Sequence, residues 1–540
     1  MARPAQPFDV IVVGGGHNGL VAAGLLAKRG ARVTVLERRG VVGGAAVTEQ
    51  PWGPDYKVTA LSYVVSLLPP AVRRELELDR FGYHVYPQGP YFAPHPDGGA
   101  LRLPDDPVAR HAEIRRFSVH DADAYEAWEE WLGGLGARLG PLLDDIPPDF
   151  GSRTPGDLLA TARLGWQLRA VDTRGWGDLT RLFTSSIADL VEPRFESDAL
   201  CGVLSVSGVI GTWAGPRQPG TAYVMAHHKI GDVGDGKVGA WGFPAGGMGG
   251  LTGAMRAAAE SFGATVRTDA DVARIDVRNG RVTGVTLQSG EELHASIVIA
   301  TTHPRITFLE QIDRAELPPS FVADIEGWRS RSGTVKVNLA VDRLPTFTAH
   351  PSFDPDVHGG TIVLAPSLDH VERAFQDAVA GRAAAAPFAD VCIPSVFDPT
   401  LAPPGHHVVS MFTQWVPHTW ATEPDPVALA AYADRVVAAL DAVAPGFTES
   451  VLHRQVIGPH EMERDYALVG GNIFHGELST AQLFHMRPAP GYADHHSPIR
   501  GLYQAGSATH GGGGVTGIPA LHALRQIERD RARRTRRPGW

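Results

Sequence analysis

Three glycines near the start of the chain have the spacing of a phosphate-binding turn. Gly14, Gly16 and Gly19 form a Gly-x-Gly-x-x-Gly pattern directly after the apolar run Val10–Val13. Glycine is needed in such a turn because the backbone bends sharply and approaches a pyrophosphate, whose charge the next helix N-terminus stabilises. Glu37 follows Gly14 by 23 residues, close to the offset of about 20 residues typical of a carboxylate that binds a ribose hydroxyl. These residues predict a dinucleotide-binding site.

A second glycine-rich segment, Gly511–Gly517, lies near the other end of the chain. It follows the apolar stretch Gly501–Gly506 and precedes a helix that we predict from about Pro519. A flexible linker is not expected between a strand and a helix, so we interpret this segment as part of a binding site. A helix N-terminus at such a loop stabilises a nearby negative charge by about 0.3–1 kcal/mol.

The residues that follow Glu37 narrow the choice of ligand. The segment Arg38–Ala45 resembles the extension after the ribose carboxylate in flavoproteins of the glutathione-reductase-like superfamily. This resemblance implies that the cofactor is FAD and that the C-terminal glycine loop lies against the flavin pyrimidine. The residues expected to bind FAD are Gly14, Gly16, His17, Asn18, Gly19, Glu37, Arg38, Gly43, Gly44, Ala45, Val272, Gly506, Gly514, Val515 and Thr516.

Lys336 and His510 are the candidate catalytic side chains. Lys336 is one of only five lysines and lies within the apolar stretch Thr334–Val341. A desolvated lysine has a lowered pKa and can act as a base or oxygen activator, whereas the alternative is a strand lysine that reaches solvent. His510 directly precedes the glycine loop, where a backbone contact with the cofactor is the alternative to catalysis by its side chain.

Four further polar residues are open to two interpretations each. His227 and His228 are either acid–base groups or a neutral structural pair. Asn472 and His475 either line a cavity or anchor a loop through side-chain hydrogen bonds. The histidine pairs of this chain are adjacent in sequence and lack the spacing of a zinc or iron site, so no metal site is predicted.

Composition excludes several classes of function. The 540-residue chain has a net charge of −10, which argues against sequence-independent nucleic-acid binding, although Arg529–Arg537 is locally basic. Its two cysteines, Cys201 and Cys392, form no Cys-x-x-Cys motif, which excludes dithiol chemistry. No apolar run reaches the roughly 18 residues of a transmembrane helix, and the first residues are too polar for a secretory signal. We expect a cytoplasmic protein with at most peripheral membrane contact.

The elements that position these residues predict an α/β fold. A Rossmann-type, glutathione-reductase-like FAD-binding domain is expected to be interleaved with an α+β substrate domain. The predicted FAD-binding segments are 1–70, 244–303 and 499–530, the substrate segments are 71–243 and 304–498, and 531–540 is a basic tail. No second Gly-x-Gly-x-x-Gly follows a strand, so oxygen or a quinone is expected to accept the electrons instead of a nicotinamide.

The chain resembles the phytoene desaturase-like FAD oxidoreductases over nearly its full length. Val12–Ala23 and Glu37–Thr48 carry this resemblance. Gly239–Met248, Lys336–Pro345 and Gly470–Gly476 are similar to the branch with pyridine nucleotide-disulphide oxidoreductase domain proteins and bacterial carotenoid ketolases. The resemblance implies an apolar cavity at the flavin. It also implies a hydrophobic, isoprenoid or lipid-like substrate, oxidised or desaturated by hydride transfer to flavin N5.

Three alternative functions stay open at this point. They are a carotenoid ketolase or other oxygen-inserting enzyme, a flavin amine oxidase that uses Lys336, and an FAD-stabilised interaction protein with vestigial activity. The chain departs from the family pattern beside the flavin, with Gly511 in place of a common proline and Pro519–His522 in place of Pro-Gly-x-Asn. These departures leave the particular reaction open.

Overall fold

The computed structural model describes residues 8–231 and 239–536, so the end of the predicted basic tail lies outside the described residues. The strands are β1 (Phe8–Val13), β2 (Val33–Leu36), β3 (Thr48–Glu49), β4 (Val58–Thr59), β5 (Val85–Pro87), β6 (Tyr91–Pro94), β7 (Ala100–Leu103), β8 (Gly242–Pro244), β9 (Thr265–Arg267), β10 (Val272–Arg278), β11 (Arg281–Leu287), β12 (Glu292–Ala300), β13 (Thr334–Val341), β14 (Thr361–Leu364), β15 (Phe388–Cys392), β16 (His407–Gln414), β17 (Val451–Ile457) and β18 (Leu502–Gln504). The helices are α1 (His17–Lys28), α2 (Pro70–Glu75), α3 (Pro107–Arg115), α4 (Val119–Asp144), α5 (Pro155–Leu168), α6 (Thr173–Thr184), α7 (Ile187–Val191), α8 (Asp198–Ser207), α9 (Thr221–His227), α10 (Met248–Ser261), α11 (Pro319–Glu326), α12 (Pro355–His358), α13 (Leu368–Val379), α14 (Pro426–Asp441), α15 (Pro459–Tyr466) and α16 (Ile518–Arg536).

The first sheet has a parallel part with the strand order β9-β2-β1-β12-β18. At its centre, Val12 lies beside Val35 on one side and Ile299 on the other. The end of β1, all of β2 and the end of β12 are buried, as is usual for parallel strands whose two faces are both covered. Helices α1, α10 and α16 pack on one face. The predicted Rossmann-type fold is therefore confirmed.

An antiparallel extension, β10-β11-β12, continues this sheet. The turn between β10 and β11 contains Asn279 and Gly280, both with positive φ. An Asn-Gly pair adopts this conformation readily, which is why the sequence predicts a hairpin here. The start of β10 is held beside the end of β2, since the Ala270 N–H donates a 2.9 Å hydrogen bond to the Glu37 carbonyl.

The second sheet has the strand order β17-β13-β16-β15-β14-β6-β7. Strand β13 is buried along its whole length, and its alternate side chains point to opposite faces. Val335, Val337 and Leu339 belong to a large apolar core, whereas Thr334 and Lys336 line a cavity. One face of this sheet therefore supports the fold, and the other is available for chemistry.

The strands of the two sheets come from different segments of the chain. Those of the first sheet lie within the predicted FAD-binding segments, and those of the second lie within the predicted substrate segments. The first core extends past residue 70, however, because Val72, Leu76 and Leu78 pack into it. Apart from this difference, the proposed domain boundaries stay a prediction.

Candidate active site

One cavity of about 530 Å³ is lined by residues of both sheets. The part of its wall that contains Gly14, Gly16, Glu37 and Val272 is here termed the nucleotide end. The part that contains Tyr63, Tyr91, Lys336, Asp390 and Phe412 is termed the chamber. The volume lies within the roughly 300–1,000 Å³ of small-molecule and cofactor sites.

The predicted phosphate-binding turn has no room for side chains at two of its glycines. Gly14 has a φ of +100°, and a Cβ there would lie 2.5 Å from Thr301 Oγ1. A Cβ on Gly19 would lie 2.0 Å from the Gly14 carbonyl oxygen. Gly14 and Gly16 line the cavity, but Gly19 does not. Gly19 was expected to contact the cofactor, and instead it lets helix α1 pack against the turn.

Glu37 is a buried acceptor whose position is set by backbone groups. Its Oε2 accepts a 2.7 Å hydrogen bond from the Gly15 N–H, and its Oε1 accepts a 2.9 Å bond from the Arg39 N–H. The residue is 6% exposed and lines the nucleotide end. Arg38 also lines the cavity there, and its guanidinium donates to the Arg464 carbonyl at 3.1 Å. The carboxylate is thus fixed beside the turn, as the spacing predicts.

The extension after Glu37 folds back onto the turn. Gly43 forms a parallel bridge with Gly16, and its φ is +121°. A Cβ on Gly43 would lie 2.5 Å from the Ala46 carbonyl oxygen, so only glycine fits there. Gly43, Gly44 and Ala45 all line the cavity. The extension therefore forms a second wall at the nucleotide end.

Val272 lies at the first position of β10 and also lines the nucleotide end. Its carbonyl accepts a 2.8 Å hydrogen bond from Gln311 Nε2. With the nearby bond between Ala270 and Glu37, this contact holds Val272 on the same side of the cavity as the ribose carboxylate candidate.

The C-terminal segment contributes two of its predicted residues to the cavity wall. Gly514 (φ +79°) and Val515 (φ +61°) line the cavity, whereas Gly506 and Thr516 do not. A Cβ on Gly506 would lie 2.9 Å from two backbone carbonyls that follow β12, so this glycine serves close packing. Thr516 Oγ1 accepts a 3.2 Å bond from the first N–H of α16 and so caps this helix.

His510 lies outside the cavity, in contrast to its predicted catalytic role. The chain turns at Gly511, which has a φ of +73°, and the imidazole points to the end of helix α4. There His510 Nε2 lies 3.0 Å from the carbonyl oxygens of Leu142 and Asp145. Burial lowers the pKa of His510 to about 3. The side chain is therefore a neutral donor that joins two loops.

Lys336 is buried in the wall of the chamber and does not extend to solvent. The residue is 1% exposed. Its Nζ donates a hydrogen bond to Ser410 Oγ and lies 4.2 Å from the centre of the Tyr63 ring. Burial lowers its pKa to about 7, while nearby Cys392 and Asp390 oppose that shift. Lys336 therefore has a proton affinity suited to exchange at neutral pH.

Asp390 lies two strands from Lys336 and lines the same chamber. Burial raises the pKa of Asp390 to about 7, and the charge of Lys336 acts in the opposite direction. Tyr63 interacts with Asp390, and burial together with this acid raises the Tyr63 pKa well above its usual value. The Cys392 thiol lies 3.8 Å from Asp390 Oδ1, and burial raises its pKa well above the usual range as well. The thiol therefore stays protonated.

The rest of the chamber wall is mostly apolar and aromatic. Its members include Leu61, Val64, Tyr91, Ile210, Trp241, Phe412, Ile473 and Phe474. His228 also lines the cavity, whereas His227 is buried behind it. The chamber thus combines an apolar wall with one cluster of titratable groups.

A loop around Phe474 is shaped by Asn472. The Asn472 Oδ1 accepts hydrogen bonds from the N–H groups of Phe474 and Gly476, both at 3.0 Å, and its Nδ2 donates to the Arg331 carbonyl at 2.9 Å. Asn472 therefore anchors the loop and does not line the cavity. His475 does line it, and burial lowers its pKa to about 4.

Comparison with known proteins identifies the family. Residues 12–72 match the NAD(P)-binding Rossmann-like domain, and residues 207–519 match the flavin containing amine oxidoreductases. The chain belongs to the flavin containing amine oxidoreductase family. It is 40% identical to pyridine nucleotide-disulfide oxidoreductase domain-containing protein 2 of Mus musculus, over 98% of this chain and 94% of the mouse protein. It is 27% identical to a neurosporene-forming phytoene desaturase of Cereibacter sphaeroides, over 99% of this chain and 98% of that protein.

A solved structure agrees with this fold. The cyclohexylamine oxidase from Brevibacterium oxydans IH-35A superimposes with a TM-score of 0.57 at 17% identity, over 97% of this chain and 99% of that one. At this identity the likeness shows the fold alone. Family membership makes the protein an FAD-dependent oxidoreductase and confirms the resemblance predicted from the sequence.

The nucleotide end fits FAD, because it contains buried polar atoms without partners among the described residues. These atoms are His17 Nε2 and Asn18 Oδ1, and both residues line the cavity. Burial and nearby His475 lower the pKa of His17 to about 3, so its imidazole is neutral. The other amide atom, Asn18 Nδ2, donates to Ser507 Oγ at 3.3 Å. Buried polar atoms of this kind are normally satisfied by a ligand or water.

Sequence reasoning missed Asp390 and Tyr63. Asp390 is the only charged residue in the apolar strand Phe388–Cys392, which is the same signal that drew attention to Lys336. An isolated charge in a buried strand needs a partner or a function, so this acid could have been found. Tyr63 lies in an irregular segment and carries no comparable signal.

Proposed function

We propose that this flavoenzyme oxidises or desaturates a hydrophobic, isoprenoid or lipid-like small molecule that binds in the chamber. The observation that supports this proposal best is the continuity of the cavity. The nucleotide end and the apolar, aromatic chamber form one space, so cofactor and substrate have adjoining places. FAD supplies a two-electron acceptor for the hydrogen removed from the substrate.

The residues of the chamber have three tasks in this proposal. The apolar and aromatic side chains exclude water and orient the substrate. Lys336 and Asp390 hold the proton released from the substrate, at Nζ or at a carboxylate oxygen. Their pKa values near 7 suit this exchange at neutral pH. The Ser410 hydroxyl and the Tyr63 ring position the Lys336 ammonium group.

The acceptor of the electrons in this proposal is oxygen or a quinone. The second sheet is largely antiparallel, unlike the parallel sheet that would bind a nicotinamide dinucleotide. The name of the related phytoene desaturase adds support for an isoprenoid substrate, since phytoene is an isoprenoid hydrocarbon.

Amine oxidation is the second candidate, and Asp390 is the observation that favours it. The carboxylate of Asp390 can bind the ammonium group of an amine, whereas a pure hydrocarbon has no polar group for this carboxylate to bind. Oxygen insertion, as by a carotenoid ketolase, and a vestigial flavin in an interaction protein are the further alternatives. Neither oxygen insertion nor a vestigial flavin has a structural observation of its own in its favour.

Anaerobic flavin reduction tests the proposal. The holoprotein is mixed with isoprenoids, fatty acyl compounds and amines, and the flavin absorbance is followed. We expect rapid bleaching with an isoprenoid or another lipid-like compound. Rapid bleaching with amines alone would support amine oxidation, and no bleaching with any compound would support a vestigial flavin. Re-oxidation by oxygen or by a soluble quinone then identifies the acceptor, and product analysis for inserted oxygen separates desaturation from ketolation.

A further inference from the structure

Helix α5 presents its apolar side chains to solvent. None of its residues is buried, and Leu158, Leu159 and Trp166 are 57%, 72% and 64% exposed. Phe150 before the helix and Trp176 on α6 are also exposed. Phe150, Leu158, Leu159, Trp166 and Trp176 are here termed the α5 patch. Large apolar residues that are exposed together on one helix are typical of an interaction surface.

The three apolar residues on α5 lie on one side of the helix. Leu159 directly follows Leu158, and Trp166 lies seven residues, or about two turns, after Leu159. At 3.6 residues per turn, the three side chains therefore share one face. In a helix that supports a core, this face would point inward, but here it points outward. Because the half-buried Leu164 and Leu168 lie on the other side of α5, the exposed face is available to a partner.

Basic side chains border the α5 patch. Arg525, Arg529 and Arg533 are spaced by four residues on α16, lie on one side of that helix and are exposed. The Arg525 guanidinium donates to the Asp144 carbonyl at 3.3 Å. A Cβ on Gly156 would lie 3.9 Å from Arg533 Nη2. This arginine row therefore runs from the end of α4 to the start of α5.

Arg163 of α5 and Arg169, which directly follows this helix, are two more basic groups, and each of the nearby acids below has a partner within the protein. The Arg169 guanidinium stacks 3.9 Å from the Trp166 ring centre, and Arg163 pairs with Asp145 at 3.3 Å. Asp157 accepts bonds from the hydroxyls of Ser152 and Thr154. On the side of α16, Glu528 pairs with Arg29, and Asp530 is bonded to His496 and Tyr503.

Some of these arginines are not neutralised by a nearby acid. Among the residues that the structure describes, Arg169 contacts a tryptophan ring and Arg529 a glutamine side chain, and neither forms an ion pair, whereas Arg525 lies close to the charge of Asp144. The chain as a whole has a net charge of −10, so this basic border is a local feature. An apolar helix face with a basic border has the character of an interfacial helix.

We propose that the α5 patch and the arginine row bind the surface of an anionic lipid bilayer. Leu158, Leu159 and Trp166 would enter the interfacial region while the arginines face lipid phosphates and anionic headgroups. A second copy of the chain fits less well, because a two-fold contact at the patch would bring the arginine rows together. No described helix is long and apolar enough to cross a membrane, so the attachment is peripheral.

Vesicle co-sedimentation tests this proposal without any activity measurement. The holoprotein is mixed with vesicles of phosphatidylglycerol and phosphatidylcholine, or of phosphatidylcholine alone, at about 0.1 M salt. We expect binding to the anionic vesicles that weakens as salt is raised, since surface charges are screened over about 10 Å at this ionic strength. The double variants Leu158→Asp/Leu159→Asp and Arg525→Glu/Arg529→Glu should each lower binding by roughly tenfold or more.

Val427→Asp provides the matched control. Val427 is an 80% exposed apolar residue on α14, so this variant places one aspartate at an exposed apolar site outside the α5 patch and should bind like the wild type. Flavin content and circular dichroism verify folding. Equal binding to neutral vesicles, or no binding to either kind, would overturn the proposal. A dimer that the Leu158→Asp/Leu159→Asp variant converts to a monomer would instead make the patch a subunit interface.

Discussion

Lys336 on β13 and Asp390 on β15 lie in one row across the second sheet, with Phe412 of β16 paired to both. A cation and an acid are thus held on the same face of a buried sheet, separated by one aromatic side chain. Asp390 raises the pKa of Lys336, and Lys336 lowers the pKa of Asp390, so each favours the charged form of the other, while burial shifts both pKa values in the opposite direction. The chemistry of either residue therefore depends on the other.

The variant Lys336→Met tests the role of this lysine. If Lys336 accepts a proton during substrate oxidation or activates oxygen, the corresponding half-reaction should slow by roughly 10²-fold, with FAD still bound. In the wild type the rate should rise with pH through about 7, because only the neutral amine accepts a proton. Stopped-flow absorbance across pH 5.5–8.5 measures both effects.

His510→Gln is the control for that experiment. His510 contacts backbone carbonyls outside the cavity, so its replacement should lower the melting temperature while the pH profile stays that of the wild type. A Lys336→Met protein with wild-type rates in both half-reactions would remove Lys336 from the mechanism.

The variant Asp390→Asn should shift the same pH profile to lower pH. The negative charge of Asp390 raises the pKa of Lys336, so a neutral amide lets the lysine lose its proton more easily. An unchanged midpoint would show that the two groups do not interact during turnover.

Asp390→Asn should also change how stability depends on pH. The pKa of Asp390 is raised from 3.8 to about 7 in the folded protein. The contribution of this residue to the free energy of unfolding is therefore most favourable at low pH, where the carboxyl group is protonated in both states, and it is lost as pH rises through about 7. The variant should therefore be more stable than the wild type above pH 7, with little advantage near pH 4. Urea unfolding at pH 5 and pH 8 measures this difference, and equal effects at both values would contradict it.

The variant Gly14→Ala should lose FAD, because the new Cβ would meet Thr301 Oγ1 at 2.5 Å in a backbone with positive φ. Gly30→Ala separates the effect of crowding from the effect of a positive φ, since Gly30 has a φ of +84° but no atom within 4 Å of its Cβ position. The control should show only the strain of about 1 kcal/mol that a positive φ imposes. Flavin-to-protein ratios and melting temperatures are measured for both variants. Equal FAD retention by Gly14→Ala and Gly30→Ala would show that crowding at the turn does not control cofactor binding.

The variant Glu37→Ala should weaken FAD binding through loss of the ribose acceptor. A buried group that loses its partner costs about 1–3 kcal/mol, which corresponds to roughly 5- to 150-fold in the dissociation constant. Titration of the apoprotein with FAD measures this change. Glu260→Ala, at an exposed position on α10, should bind like the wild type.

Neither NADH nor NADPH should reduce the flavin rapidly. The chain carries one Gly-x-Gly-x-x-Gly motif directly after a strand, and the second sheet differs from a nicotinamide-binding sheet. Stopped-flow bleaching by either nucleotide at about 1–10³ s⁻¹, the usual range of turnover, would contradict this expectation. Slow chemical reduction would not.

Much of the fold and of the nucleotide end could be predicted because local patterns determine them. Gly14, Glu37 and Gly43 belong to short segments in which sterics and spacing leave few alternatives. The chamber was harder, because its wall combines Tyr63, Lys336 and Asp390 from distant parts of the chain. Their proximity depends on the strand order of the second sheet, and no local pattern encodes that order. His510 was misplaced for a similar reason, since the path of its loop depends on contacts with helix α4.

The bond between Asn18 and Ser507 joins residues that are 489 positions apart in the chain. Synthesis proceeds from the N-terminus, so the turn and Glu37 leave the ribosome long before Gly514 and Val515 exist. The cofactor site is therefore completed only after Gly514 and Val515 have been made. FAD stabilises the folded state that it binds, and this stabilisation is not available to a chain that stops before these residues. Cofactor retention thus reports that the N-terminal turn and the glycine loop have come together.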